Sequence, residues 1–396
     1  LGGPGTLLQK GSWPPEALSA GESREPGGLD GLKTNLYNAG MILTIFGYPK
    51  SGKTLLFNLL TQQQEEVSKF STSSHDYHKA IVDVPDPRLT RLAGHFNLPP
   101  VYAKIEFLDT GALAFGESKN VTFIDLLRRA DGLVHMIRAF ADEEIPHPRG
   151  SIDPVRDMKT MEDELKTVDF ITIEKRLEKL VVDVMKIKSK ELAEELELMR
   201  KLKTFLEEEG KPLREYPFSA QEEHQARGFK FLSQKPLLNI INTDETTYQT
   251  YLELKKAPGN HTTVQVFCGK IEHELLELEK EERLIFQEEY GLGDYEYVKD
   301  TFVQTSYSLL NLISFFTIGK EETRAWTLQK NDNAYTAAGK IHTDIQQGFI
   351  RSETIDWQDL LEAGSFSQAR EKGSLRLEGK DYLVKDGEVL QFRFNK

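Results

Sequence analysis

The chain has 396 residues, 39% hydrophobic and 29% charged, a balance typical of folded globular domains that excludes an extended disordered polymer. A formal charge of −13 argues against a surface that coats nucleic acid, DNA included, while leaving room for a local basic patch. No apolar run nears the roughly 20 residues that span a bilayer, and the single cysteine, Cys268, permits neither an internal disulfide nor a paired-cysteine metal site, which points to a reducing cytoplasm.

Residues 1–40 begin with Leu1, are rich in Gly, Pro and Ser, and hold no sustained apolar run. They read as a disordered or non-native extension ahead of a start near Met41, not as a signal peptide. Met41 to Phe46 (MILTIF) then reads as a short buried strand, and Leu55 to Leu60 (LLFNLL) as a buried helix. Further apolar runs follow at 103–108, 132–137, 236–241 and 263–267. Most alternate poorly, which suits central strands of a mostly parallel sheet covered by helices on both faces. From about Asp157 to Tyr216 the pattern becomes helical. Ile173, Leu177, Leu180, Val184 and Ile187 recur at steps of three and four, as do Leu192, Leu196, Met199, Leu202 and Leu206. This predicts an amphipathic hairpin with a coiled-coil-like seam, broken near Ser189 and ended by Gly210 and Pro212. The hairpin is either a solvated insertion or a partner-binding arm. From about Ser314, glycine-punctuated short strands predict a small α+β module with its own core.

The fold class is therefore α/β: a P-loop domain interrupted by a helical hairpin and followed by a C-terminal α+β domain. The expected divisions are 1–40 extension, 41–156 and 223–312 P-loop domain, 157–222 hairpin, and 313–396 C-terminal domain.

GYPKSGKT, Gly47 to Thr54, fits G-x-x-x-x-G-K-[ST] between a strand and a helix. Glycines let the backbone wrap closely around phosphates, and successive N–H groups with the helix N-terminus attract the anion. Gly47, Tyr48, Pro49, Lys50, Ser51, Gly52, Lys53, Thr54 and Leu55 are thus the expected phosphate cradle. Lys53 is expected on the β- and γ-phosphates and the Thr54 hydroxyl on Mg²⁺. Asp109 ends its strand where a carboxylate can hold Mg²⁺ through water. Lys53, Thr54 and Asp109 are the candidate catalytic residues. Asn242 to Glu245 follows an apolar strand at the place of a guanine-reading N-K-x-D element, but lacks the Lys and ends in the longer Glu. Guanine fits such a carboxylate poorly, which leaves base choice open and tilts it to ATP over GTP. Cys268 and Gly269 follow the last apolar strand and suit a backbone loop closing over the base. His135, inside an apolar strand, reads as a core histidine, and the histidines show no zinc spacing.

At this point the chain resembles the YchF-type (Obg-like) ATPases, a branch of the Obg group of P-loop GTPases. VPDPRLTRLA (84–93), GSIDPVRD (150–157), the N-x-x-E variant at Asn242 and Glu245, and FFTIGKEETRAWT, AAGKIHTD, GFIRSE and LRLEGKDYLVKDGEVLQFRF carry the resemblance from Met41 to Lys396. It implies a C-terminal TGS domain, weak ATP hydrolysis with Mg²⁺, and association with ribosomes or translation-linked partners through that domain and the hairpin. Leu113 stands where Ras-like GTPases carry a water-positioning Gln. Counting back from VPDPRL, Ser74 falls at the Mg²⁺-binding Thr of the first switch, with Thr72 nearby. The family's D-x-x-G is D-T-G-A here, Ala112 standing where glycine is expected, and the second switch is shortened to GESKNVTFIDLL. These departures favour nucleotide binding over hydrolysis, so a hydrolysis-deficient switch or a ribosome-associated adaptor is the alternative. Relatives often carry Asn at the position of Lys50, where it helps bind K⁺; an ammonium there implies K⁺-independent chemistry.

Overall fold

The computed structural model describes residues 41–61, 67–70, 77–110, 121–142, 144, 146–256, 262–275, 278, 280–289, 295 and 297–395. Ala39–Lys396 forms one compact unit. The extension expected over 1–40, residues 71–76 of the first switch with Thr72 and Ser74, residues 111–120 with Ala112, Leu113 and the start of the second switch, and residues 257–261 lie outside the described residues.

The first half runs β1 (Ile42–Phe46), α1 (Lys53–Thr61), β2 (Val67–Phe70), β3 (Tyr77–Val84), α2 (Pro87–Phe96), β4 (Pro100–Val101), β5 (Ala103–Asp109), α3 (Val121–Arg129) and β6 (Gly132–Arg138). The helical insertion follows as α4 (Pro154–Lys186), α5 (Lys190–Thr204) and α6 (Ala220–Ala226). The P-loop domain resumes with β7 (Leu237–Asn242), α7 (Tyr248–Leu252), β8 (Thr262–Phe267), α8 (Gly269–Leu275), α9 (Lys280–Glu289) and α10 (Val298–Leu309). The chain ends with β9 (Leu312–Ile318), β10 (Thr323–Gln329), α11 (Ala334–Ile341), α12 (Thr343–Gln347), β11 (Phe349–Asp356), α13 (Trp357–Ala363), α14 (Phe366–Glu371), β12 (Arg376–Glu378) and β13 (Glu388–Phe394).

The first sheet has the order β2-β3-β5-β1-β6-β7-β8. Its pairs from β5 through β8 are all parallel. Strands β6 and β7 are buried at every residue, so their continuous apolar text has a physical cause: helices cover both faces. The antiparallel pair β2–β3 extends the sheet on one side, with β3 antiparallel to β5. It escapes the apolar-run criterion because β3 alternates buried and half-buried residues.

Helix α4 starts where Asp153 caps the backbone N–H of Arg156 and Pro154 takes the first helical position. At 33 residues it is about 50 Å long. The hairpin seam is buried at Ile173, Leu180, Leu198, Met199 and Leu202. Ser189 caps α5 through Leu192 N, and Gly210, at φ 62, ends the last turn, as the breaks in the pattern indicated. Ile187 departs from the expectation: it lies past the end of α4 and is 56% exposed, because the seam ends about two turns earlier, at Leu180. At the hairpin base, buried Asp169 accepts hydrogen bonds from Leu232 N, Ser233 N and Ser233 Oγ. The second sheet, β12-β11-β13-β9-β10-β4, belongs to the C-terminal domain except for β4, which comes from the first half and pairs parallel with β10.

Candidate nucleotide-binding site

The loop between β1 and α1 is shaped by glycine at two points. Gly47 has φ 145, and a Cβ there would sit 2.3 Å from the Met136 carbonyl oxygen. Gly52 has φ 104, and its Cβ would meet Asn242 Nδ2 at 2.4 Å. Both positions therefore require glycine for space as well as for φ. Lys53 is buried, and its Nζ donates to the carbonyls of Gly47 at 3.0 Å and Tyr48 at 2.9 Å. The ammonium thus crosses the mouth of the loop instead of extending to solvent. Burial pushes its pKa down to about 8 against the opposing pull of Asp109. An arriving phosphate would oppose that desolvation and favour the charged form. Pro49, Lys50 and Thr54 are exposed, Tyr48, Gly52 and Leu55 half-buried, and Ser51 buried.

Register brings the remaining groups to the same end of the sheet. Asp109 at the end of β5 is fully buried and accepts a 3.0 Å hydrogen bond from Thr54 Oγ1. His78 Nδ1 lies 3.5 Å from the same Asp109 oxygen, a neighbour that sequence reasoning did not find. Asn242 at the end of β7 joins two loops: its Nδ2 donates to Ser51 O and its Oδ1 accepts from Gly269 N, both at 3.1 Å. Asp244 closes its own turn, accepting from the N–H and hydroxyl groups of Thr246 and Thr247. Glu245, like Asp244, is half-buried. Cys268 is fully buried, with its thiol raised to about 11 by burial; its N–H donates to the Tyr295 hydroxyl at 2.8 Å and its carbonyl accepts from Glu272 N at 2.9 Å.

His135 is the core histidine expected: Nδ1 pairs with Asn239 Oδ1 at 3.0 Å and the ring stacks on Phe46 at 5.2 Å. Burial lowers its pKa to about 4. Sequence reasoning missed Arg149 and His147, which flank Tyr48 from the loop between β6 and α4. The Asp153–Pro154 helix start marks where that loop ends, but nothing in its text marks what it touches.

Thr54 and Asp109 offer a hydroxyl and a carboxylate oxygen, hard donors that fit Mg²⁺. Among the described residues no cluster of three or more His, Cys, Asp or Glu could hold a metal alone.

A family model described as a 50S ribosome-binding GTPase matches residues 42–176, and a YchF C-terminal model, described as a protein of unknown function, matches 312–395. The ribosome-binding ATPase YchF of Bacillus subtilis is 38% identical over 363 residues, covering 89% of this chain and 98% of that protein. The Obg-like ATPase 1 of Gallus gallus is 31% identical over 385 residues, covering 92% and 96%. The solved structure of the Schizosaccharomyces pombe YchF GTPase superposes with a TM-score of 0.73 at 28% identity, over 89% of this chain and 97% of that one. The chain belongs to the YchF family. Its fold is accordingly a GTPase-type P-loop domain with a C-terminal domain of YchF type, and the family places it among nucleotide hydrolases. For a YchF-family chain, the short α2 segment after VPDP has a visible task here. Asp86 caps α2 and holds Arg88, which reaches the C-terminal domain. No described helix is long and apolar enough to cross a membrane.

Proposed function

We propose that this protein binds ATP, with GTP as the weaker alternative, together with Mg²⁺, and hydrolyses it slowly in the cytoplasm in a task linked to ribosomes or translation. The observation that carries the reading is the convergence of Lys53, Thr54, Asp109 and Asn242 on one loop. Backbone N–H groups of the Gly47–Thr54 loop and Lys53 would bind the phosphates, Thr54 and Asp109 would hold Mg²⁺, and Asn242 would brace the base-side loop at Gly269. Ser74 is proposed as a further Mg²⁺ ligand, and Cys268 and Gly269 as the backbone edge near the base. Bound there, Mg²⁺ supplies charge neutralisation to the β- and γ-phosphate oxygens. Catalysis would rest on positioning and electrostatics, because no side-chain base has been assigned.

Glu245 supports ATP over GTP, since its extra methylene displaces the carboxylate from where guanine needs an acceptor. The B. subtilis relative is named a ribosome-binding ATPase. By that likeness we place the partner on the ribosome, contacted through the hairpin and the C-terminal TGS-type domain. The domain limits proposed are 41–156 with 223–312, 157–222, and 313–396, supported by the return of sheet strands at Leu237 and the start of the second sheet at Leu312.

Calorimetric titration with ATP and with GTP, each with Mg²⁺, beside Lys53→Ala tests this. Tighter ATP binding, lost in the variant, is expected, and turnover then separates slow hydrolysis from a nucleotide-held switch. Tighter GTP binding would sink the base assignment. No binding would mean that the altered switches have disabled the site and would leave a ribosome-associated adaptor, which salt-dependent ribosome co-sedimentation would detect.

A further inference from the structure

Tyr48 lies inside the phosphate loop, yet its side chain is gripped from outside it. Arg149 Nε donates to the Tyr48 hydroxyl at 3.1 Å, and the same guanidinium sits over the ring, 5.9 Å from its centre. On the same ring, His147 packs edge-on with centroids 6.1 Å apart. Both residues come from the turn ahead of the hairpin, where Gly150 N donates to His147 O and Arg149 N to His147 Nδ1.

That turn is stiff. The His147 and Asp157 side chains are buried, with Nε2 and Oδ2 3.1 Å apart. Arg156 donates twice to the other Asp157 oxygen and twice more to Ser151, through its hydroxyl and its carbonyl. Asp157 sits in the first turn of α4, so the grip on Tyr48 is anchored in the hairpin.

The backbone of Tyr48 is what Lys53 reads. Its carbonyl is one of the two acceptors of Lys53 Nζ, at 2.9 Å. A ring held in one place restrains the backbone that carries it, and with it one of the two carbonyls that hold the ammonium. We propose that Arg149 is a positioning residue for the nucleotide site, acting through Tyr48 on Lys53, and that this contact ties the hairpin to the phosphate loop. The inference rests on the ATP-binding reading above. It predicts an effect shared by ATP and ADP, because a misplaced Lys53 and loop backbone affect the phosphates common to both.

The test is a double-mutant cycle with Arg149→Ala and Tyr48→Phe in the full chain, reading ATP and ADP affinity with Mg²⁺ and the thermal midpoint. Each single variant is expected to weaken both nucleotides by the same factor, about two- to tenfold, the range one net hydrogen bond supports. The double variant should be no weaker than Arg149→Ala alone, since that change already removes the bond that Tyr48→Phe breaks. Arg149 is exposed, so its thermal midpoint should stay within about 2 °C of wild type. Unchanged affinities, or losses that multiply, would overturn the proposal. So would a loss confined to ATP, which would mean that Arg149 meets the γ-phosphate itself. If wild type binds neither nucleotide and Lys53→Ala changes nothing, the ATP-binding reading falls and takes this inference with it. Lys53-dependent binding without coupling removes the inference alone.

Discussion

Arg88 and Asp386 are 298 positions apart in the chain, yet Arg88 Nη1 donates to Asp386 Oδ2 at 2.6 Å. The Arg88 fork is shared between two carboxylates, because Nε and Nη2 also bind Asp86, the cap of α2. Asp386 is held in turn by Ser314 N at 2.9 Å, and the guanidinium lies 5.4 Å from the centre of the Phe316 ring. Nearby, Arg91 stacks over Trp357 and His95 meets the Gly364 carbonyl. The stretch after VPDP is thus the dock of the C-terminal domain on the P-loop domain.

Arg88→Ala should therefore loosen that dock. Losing a charge-assisted pair, a half-buried stem and the ring contact should cost about 1–3 kcal/mol. Arg88→Lys should recover little, since an ammonium cannot span two carboxylates in a fixed plane. Urea unfolding measures the loss, and a change under about 0.5 kcal/mol in Arg88→Ala would show that the clasp adds nothing.

His135 sets a pH dependence of opposite origin to that of surface carboxylates. Unfolded, the imidazole takes a proton near pH 6.5; folded, burial delays this to about pH 4. The unfolded state therefore binds more protons within that window, and stability falls as pH drops through it. Between pH 6.5 and 5 the loss from this group is about 2 kcal/mol. His135→Gln should lower stability at pH 7 and flatten the decline. Denaturation midpoints at pH 7 and pH 5 for both proteins measure it, and parallel declines would show that His135 is not the titrating group.

Legibility tracked the range of the interaction. The central strands, the phosphate loop and the hairpin breaks at Ser189 and Gly210 are written in local text, as apolar runs, glycine spacing and caps. Strand β3 was not, because a strand that alternates buried and half-buried residues carries a weaker pattern. Strand β4 is two residues long and finds its partner only in the C-terminal sheet. In the candidate site, Lys53, Thr54, Asp109 and Asn242 were readable from motif and strand end. Arg149, His147 and His78 were not, since each is a lone polar residue whose meaning depends on what the fold sets beside it. VPDPRL was visible as a family likeness but silent about Asp386.

The Asn242 amide ties Ser51 O to Gly269 N, so Asn242→Ala removes one donor and one acceptor from two buried loops at once. Leaving those backbone groups unpaired should cost about 1–3 kcal/mol each, and affinity for any nucleotide should fall at least tenfold. Glu245→Asp tests a separate feature. Shortening the carboxylate by one methylene should raise the ratio of GTP to ATP affinity, with total affinity changed less. Calorimetry on both variants separates bracing from base choice. An unchanged ratio in Glu245→Asp would remove Glu245 from base selection.

Lys50 adopts φ 59, a left-handed conformation that a lysine takes reluctantly and an asparagine more easily. Its side chain is exposed at the rim of the phosphate loop. If the ammonium there takes the place of a monovalent cation beside the phosphates, turnover in K⁺ and in Na⁺ should agree within about twofold. Lys50→Asn fits the backbone and removes the fixed charge. It should lower turnover in Na⁺ and restore it in K⁺. Strong K⁺ stimulation of the unaltered protein would refute the role of Lys50. A variant equally active in both salts would show that the lysine only faces solvent.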